Sequence, residues 1–213
     1  MPRSTLQNRV DPFGQLHAVP FRGSLMGNRG ILHDNDQKIR RQWARKAWVT
    51  CVLSYDNVQR PVFSPNNYSE LFFLDEATSL AAGHRPCNTC QRGRYMEFRQ
   101  AWLGANMPDR AGTHVPVGEI DAAMHAERAL RGGGKQTYRA SLAELPDGTM
   151  FVHEGSACLL WRGKVWRWSF EGYSPVVMSG GETFVAVLTP ASVVRMFATG
   201  FLPRVHPSAD PME

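Results

Sequence analysis

Apolar and polar positions change period several times along the chain, and each change predicts an element. The run Ala47 to Tyr55 (AWVTCVLSY) is rich in β-branched and aromatic residues and predicts a strand with Cys51 in its middle. A second short strand is expected over Tyr68 to Leu74, after a turn-rich stretch from Asn57 to Asn67 that holds Pro61 and Pro65. Asp75 then stands where a helix N-cap belongs. The helix runs through Glu76, Ala77 and Leu80, and Gly83 supplies the left-handed residue that ends it. Pro86 disfavours helix at Arg85, whereas Tyr95, Phe98 and Trp102 recur at helical spacing within Cys90 to Leu103. Cys87 and Cys90 are therefore expected on a turn that leads into a helix.

After a loop over residues 104–118, a helix is expected from Glu119 to Leu130, broken by Gly132, Gly133 and Gly134. The pattern then becomes β-like, with strands expected at Met150 to Val152, Ala157 to Arg162 and Lys164 to Ser169. A last helix, Pro190 to Thr199, is stopped by Gly200 before a Pro-rich tail. Near the start, residues 1–20 carry Pro2, Pro12, Gly14 and Pro20 without a sustained period and read as an extended arm; Gly23, Gly27 and Gly30 read as tight turns. The predicted fold class is α+β. It comprises the arm (1–20), a small zinc-stabilised N-terminal module (21–110) and a mostly β C-terminal module with short helices (111–213).

At 213 residues and 43% hydrophobic, the chain is long and apolar enough for a real core, which excludes wholesale disorder. No stretch reaches the roughly 18 to 20 apolar residues that span a bilayer, and the first residues lack a secretory apolar core. A cytoplasmic protein with no membrane partner is expected. Four cysteines, at 51, 87, 90 and 158, are too few for a secreted disulfide scaffold, so the CxxC pair points to metal or redox chemistry. Cys158, in an apolar strand, reads as a buried thiol. The net charge of +5 is uneven: residues 1–114 carry a surplus of +6 and the remainder −1. Arg dominates that surplus and its planar fork suits phosphate, although a solvated basic face explains it equally.

A CxxC turn brings two sulfurs within reach of one tetrahedral zinc. Cys51 and one of His17, His33 or His84 are the further candidates. His33 follows a glycine-rich turn and suits a ligand displayed by a loop, whereas His84 lies three residues from Cys87 and would crowd the same turn. The expected set around Zn²⁺ is His33, Cys51, Cys87 and Cys90; a dithiol redox pair, a merely buried CxxC and a zinc with another fourth ligand compete with it.

The run EATSLAAGHRPCNTC from Glu76 to Cys90 resembles the second half of the zinc-binding domain of the Ada DNA-repair family. Upstream, GNRGILH and the later Cys51 are similar to Ada-like zinc modules attached to some nucleases. The resemblance covers about residues 25–92. It implies that Cys87 and Cys90 are the last two ligands, Cys51 an earlier cysteine, and His33 the histidine of the variant modules. Ada repair proteins carry a CxxxC before the helix; here Cys51 stands alone and Tyr55 lies four residues on.

The resulting expectation is a zinc protein that recognises nucleic acid, DNA being favoured. Arg29, Arg40, Arg41, Arg45, Arg92 and Arg94 are the candidate phosphate contacts, with Trp43 and Trp48 interleaved for base stacking. An enzyme is the alternative. The resemblance implies methyl acceptance by Cys51, while His33, Asp34 and Asp36 form a weaker candidate nuclease cluster in a hydrolase with an accessory zinc module. A protein-binding adaptor is the third reading. Trp161, Trp166, Trp168, Phe170 and Tyr173 read as β core more readily than as an aromatic cage.

Overall fold

The computed structural model describes residues 5–56, 61–110, 112–178 and 184–209, so Pro2 of the expected arm and Asn57 of the expected turn lie outside the described residues. In chain order the elements are β1 (Arg9–Val10), β2 (Leu16–His17), β3 (Leu25–Asn28), β4 (Val49–Cys51), β5 (Leu71–Phe73) and α1 (Glu76–Ala81). There follow β6 (Arg85–Pro86), α2 (Arg92–Asn106), α3 (Val117–Arg128), β7 (Tyr138–Ser141), β8 (Met150–His153) and β9 (Ser156–Trp161). The chain continues through β10 (Lys164–Ser169), β11 (Gly172–Val176), β12 (Phe184–Val187) and α4 (Ala191–Ala198). The strands form two six-stranded sheets, ordered β2-β1-β5-β3-β4-β6 and β11-β10-β9-β8-β12-β7. The fold is α+β, as the periodicities predict.

Helix α1 is the piece on which the two sheets meet. All six of its residues are buried. Residues 3.6 to the turn point in different directions, and here each direction feeds a separate core. Ala77 and Ala81 pack with Met150, Leu159, Trp161, Trp166 and Tyr173 of the second sheet. Leu80 joins Phe98 and Trp102 of α2, Ile120 and Met124 of α3, and Val193 and Met196 of α4. Ala82, the C-cap, packs with Val10, Leu16, Leu71 and Phe73 of the first sheet.

A buried helix start must find partners for its free N–H groups. Asp75 caps this one as expected: Oδ1 accepts from the Thr78 N–H at 2.8 Å and from the Thr78 hydroxyl at 2.6 Å. Its other oxygen accepts from the Tyr173 hydroxyl and the His206 N–H, both at 2.9 Å. Burial pushes the Asp75 carboxyl above the usual carboxylate range, against the pull of these donors. Glu76 is also satisfied, taking a forked pair from Arg94 at 2.8 and 2.7 Å and the Arg204 N–H at 2.8 Å. At the other end Gly83 has φ +89°, the conformation expected of the residue that turns the chain out of the helix.

Three expectations are corrected. The arm is not free: β1 pairs in parallel with β5 (Arg9 opposite Phe72) and antiparallel with β2, burying Val10 and Leu16. Residue 110 is not a break in packing, because the cores around Ala77 and Leu80 draw side chains from both sides of it. Gly27 is not in a turn but in β3, where a Cβ would lie 2.3 Å from the Phe73 ring. The C-terminal aromatics do fill a core: Trp161, Trp166 and Tyr173 are buried, and Cys158 is fully buried.

Replacing Asp75 by Ala removes the cap, typically about 1 kcal/mol, and strands buried donors at about 1–3 kcal/mol. Asp75→Ala is expected to lower the unfolding free energy by about 2–4 kcal/mol and Tyr173→Phe by about 1 kcal/mol, read from urea denaturation.

Candidate metal centre and basic surface

The metal centre is built by a parallel strand pair. β4 and β6 align Val49 with Arg85 and Thr50 with Pro86, so Cys51 and Cys87 are next in that register. The Cys87 N–H donates to the Thr50 carbonyl at 2.8 Å, and the Gln91 side-chain amide donates to the same oxygen at 2.8 Å. The Gln91 N–H closes a turn on the Cys87 carbonyl at 3.1 Å, bringing Cys90 back beside Cys87 just before α2. Arg85 anchors this turn from behind through a buried two-pronged pair to Asp121 of α3, at 2.7 and 2.9 Å.

The result is a cluster of the Cys51, Cys87 and Cys90 sulfurs, all within 4.8 Å of one another and half-buried. Three sulfurs bound tetrahedrally at about 2.3 Å would lie about 3.8 Å apart, so this spread suits a single ion. Cys87 is held down to about 4 chiefly by the hydrogen bond from Cys51, whose own thiol is correspondingly pushed up, and burial raises Cys90. The Thr89 N–H also points at the Cys87 sulfur, at 3.4 Å. These three cysteines can bind a metal ion. They lie in the wall of a cavity of about 450 Å³ that Tyr55, Tyr68 and Glu70 also line. Glu70 is positioned there by the Phe63 N–H, which donates to Oε2 at 2.9 Å. Neither Tyr68 nor Glu70 carries a motif that would single it out in the sequence.

His33 lies outside the cluster that the structure brings together. Its Nδ1 is 2.6 Å from the Ser69 hydroxyl, its Nε2 is 3.4 Å from the Ser64 carbonyl, and its ring stacks on Phe63 with centroids 4.6 Å apart. Both nitrogens are used to fasten a buried loop. The His33, Asp34, Asp36 cluster fails for a related reason: Asp34 takes the Asp36 and Lys38 N–H groups and the Arg40 guanidinium as a turn organiser. Among the described residues, the three cysteines form the sole group of metal-ligating side chains.

The candidate phosphate contacts divide. Arg40, Arg41 and Arg45 are exposed on the loop leading to β4, with half-buried Trp43 between them, and Arg92 is exposed at the start of α2. Arg40 pairs with Asp34 at 2.6 Å and Arg45 donates to the Asn28 side chain at 2.6 Å. An exposed ion pair such as Arg40–Asp34 is worth little and exchanges readily. Arg94 is not a surface contact: besides Glu76 it holds Glu97 and the Leu202 carbonyl, and it lies 3.9 Å above the Phe201 ring. Arg29 is 1% exposed and equally out of reach of a duplex. Trp48, 4% exposed, is a core residue rather than a stacking platform.

Protein supplied with a divalent metal is expected to take up one ion per chain, measured by elemental analysis after gel filtration. Cys51→Ser, Cys87→Ser and Cys90→Ser should each lose or weaken that uptake, whereas His33→Ala should keep it. Loss in His33→Ala with the fold intact would mean the ligand set is wrong.

No helix among the described residues is long and apolar enough to cross a membrane. No family model matches the chain, and no curated protein or solved structure is detectably similar to it.

Proposed function

We propose that the protein is a zinc–thiolate protein that binds nucleic acid through its exposed basic loop. The convergence of the three sulfurs carries the metal half of this reading, since thiolates are soft ligands suited to zinc and the spacing suits a tetrahedral ion. The other half is supported by continuity: Arg40, Arg41, Arg45 and Lys46 surround Trp43 on the loop that runs directly into β4, whose last residue is Cys51. Tying Cys51 to the start of α2 would therefore fix the end of the segment that displays the cations. Guanidinium groups around a partly accessible indole combine phosphate contact with base stacking.

A second reading is favoured by one observation. The described residues supply three ligands, not four, and all three line a cavity with two tyrosines. Structural zinc sites are commonly closed by four protein ligands, whereas reactive ones keep a position open. Zinc, when bound, keeps sulfur in the thiolate form at neutral pH. Cys51 would then accept an alkyl group: its sulfur forms a bond to the methyl carbon of a methyl phosphotriester as the carbon–oxygen bond breaks and the phosphodiester leaves with the electron pair. Tyr55 lines the cavity where the Ada repair proteins have a second cysteine.

Binding to labelled duplex and single-stranded DNA, followed by anisotropy across a salt series, separates these readings. Recognition through the loop predicts a log–log slope of about −0.9 per phosphate neutralised on duplex, reduced by about that amount in each of Arg40→Ala, Arg41→Ala and Arg45→Ala. A flat salt profile would overturn the nucleic-acid reading. For the acceptor reading, methyl-phosphotriester DNA should add one methyl mass at Cys51 in the zinc-loaded protein; an unmodified chain would eliminate it.

A further inference from the structure

Arg29, Arg128 and Lys135 converge on a single cavity of about 370 Å³ that also has Trp48 and Trp43 in its walls. Arg29 and Arg128 are 1% and 2% exposed, and their guanidinium carbons sit over the Trp48 ring at 4.3 and 4.2 Å. Lys135 is half-buried as a residue, but its ammonium points inward and donates to the Ala81 carbonyl. Buried cations are ordinarily paired with carboxylates. These are not. Arg29 donates to the Gly14 carbonyl at 3.0 Å and to His84 Nε2 at 3.1 Å, and Arg128 donates to the carbonyls of Gly83 and Lys46. Asp11, the acidic group that acts on Arg29 and Lys135 through space, is itself held by His17 at 2.8 Å.

Among the described residues three donors here find no partner: Arg29 Nη2, Arg128 Nε and, since His84 Nε2 accepts from Arg29, the His84 Nδ1–H are buried without a hydrogen bond. His84, fully buried, accepts from Arg29 and is kept far below its usual range by burial and these cations, so it adds no charge. Burial pulls Arg29 down to about 9, and burial together with the neighbouring cations pulls Arg128 to about 9 and Lys135 to about 7, as expected where buried positive charges outnumber negative ones.

The rim of the cavity is bare backbone. Gly132, Gly133 and Gly134 all have left-handed φ, of 90°, 108° and 100°, and present no side chain at the opening. Beyond them lies a second cavity of about 390 Å³ that shares Gln42, Trp43, Gly132 and Gly133 with the first and is bordered by Arg40 and Arg41. The first cavity is of the size that takes small molecules.

We propose that the Arg29–Arg128–Lys135 cavity is a binding site for a phosphate monoester, the phosphate buried among the three cations and its organic part lying along Trp43 toward the opening. A phosphate supplies the missing charge and offers acceptors to the unpartnered guanidinium nitrogens. The Trp43 indole favours a flat, aromatic ester, such as a nucleoside monophosphate. The site is separate from the thiol centre and does not rest on the nucleic-acid reading.

Calorimetric titration of the full chain with adenosine 5′-monophosphate, inorganic phosphate and adenosine tests this. The monophosphate is expected to bind with one site per chain, inorganic phosphate to bind more weakly and compete with it, and adenosine to show no saturable heat. Inorganic phosphate binding as tightly as the ester would overturn the role of Trp43 and the monoester assignment. Arg29→Gln and Arg128→Gln should weaken binding at least tenfold. Because either can disturb the core, Lys135→Gln, at a half-buried position, is the decisive variant: a tenfold loss is expected with an unchanged near-UV circular dichroism spectrum. Absence of heat with both phosphates at millimolar concentration, or undiminished affinity in a folded Lys135→Gln, would overturn the proposal.

Discussion

The constraint that organises this protein is the burial of a six-residue helix with two carboxylates at its start. A helix as short as α1 has no stability of its own, because nucleation costs more than so few hydrogen bonds return. It exists here because every face is covered and every free polar group at its N-terminus is matched. Asp75 and Glu76 complement the positive end of the helix, and the hydroxyls, guanidinium and N–H groups they engage come from α2, β11 and the chain after α4. The carboxylates thus join segments that three apolar cores then fill in.

The same helix places both sites. Its C-terminal turn passes through Gly83, where a Cβ would meet the Arg128 side chain at 2.1 Å, so glycine is required by the turn and by the approach of that arginine. Next comes His84, which receives Arg29, then Arg85, which holds Asp121, and then Cys87. Four residues within five positions, Gly83, His84, Arg85 and Cys87, serve the cationic cavity, the buried ion pair and the thiol cluster in turn. β4 runs alongside, preceded by Trp48, which carries both guanidiniums against its ring, and ending on Cys51.

Much of this was legible where a residue's chemistry and its local geometry agree. Asp75 before an apolar run, Gly83 after it, and Tyr95, Phe98 and Trp102 at helical spacing specify α1 and α2 through short-range rules. Cys87 and Cys90 declare themselves by spacing, and Cys51 by being the remaining cysteine of that half. What was hidden depends on pairing at a distance. β1, β2 and β6 are two-residue strands, too short to show a period, and exist because a neighbour's edge receives them. His33 misled because its position after a glycine turn looks the same whether the ring meets a metal or, as here, Ser69 and Phe63. Arg29 and Arg94 illustrate that sequence shows charge but not depth; each is held by groups its own neighbourhood does not reveal.

The reach of Asp75 has a consequence for how the chain is made. Its contacts to Tyr173 and His206 span 98 and 131 positions, so during synthesis the helix it caps leaves the ribosome well before those partners exist. Until they emerge, α1 keeps only the local Thr78 bonds of its cap and lacks one of its cores, and contacts so distant along the chain form late. The thiols positioned by α1 therefore spend the interval of translation in a nascent, unsettled segment. Native assembly of the leading half therefore waits on segments about a hundred or more positions later rather than maturing stepwise.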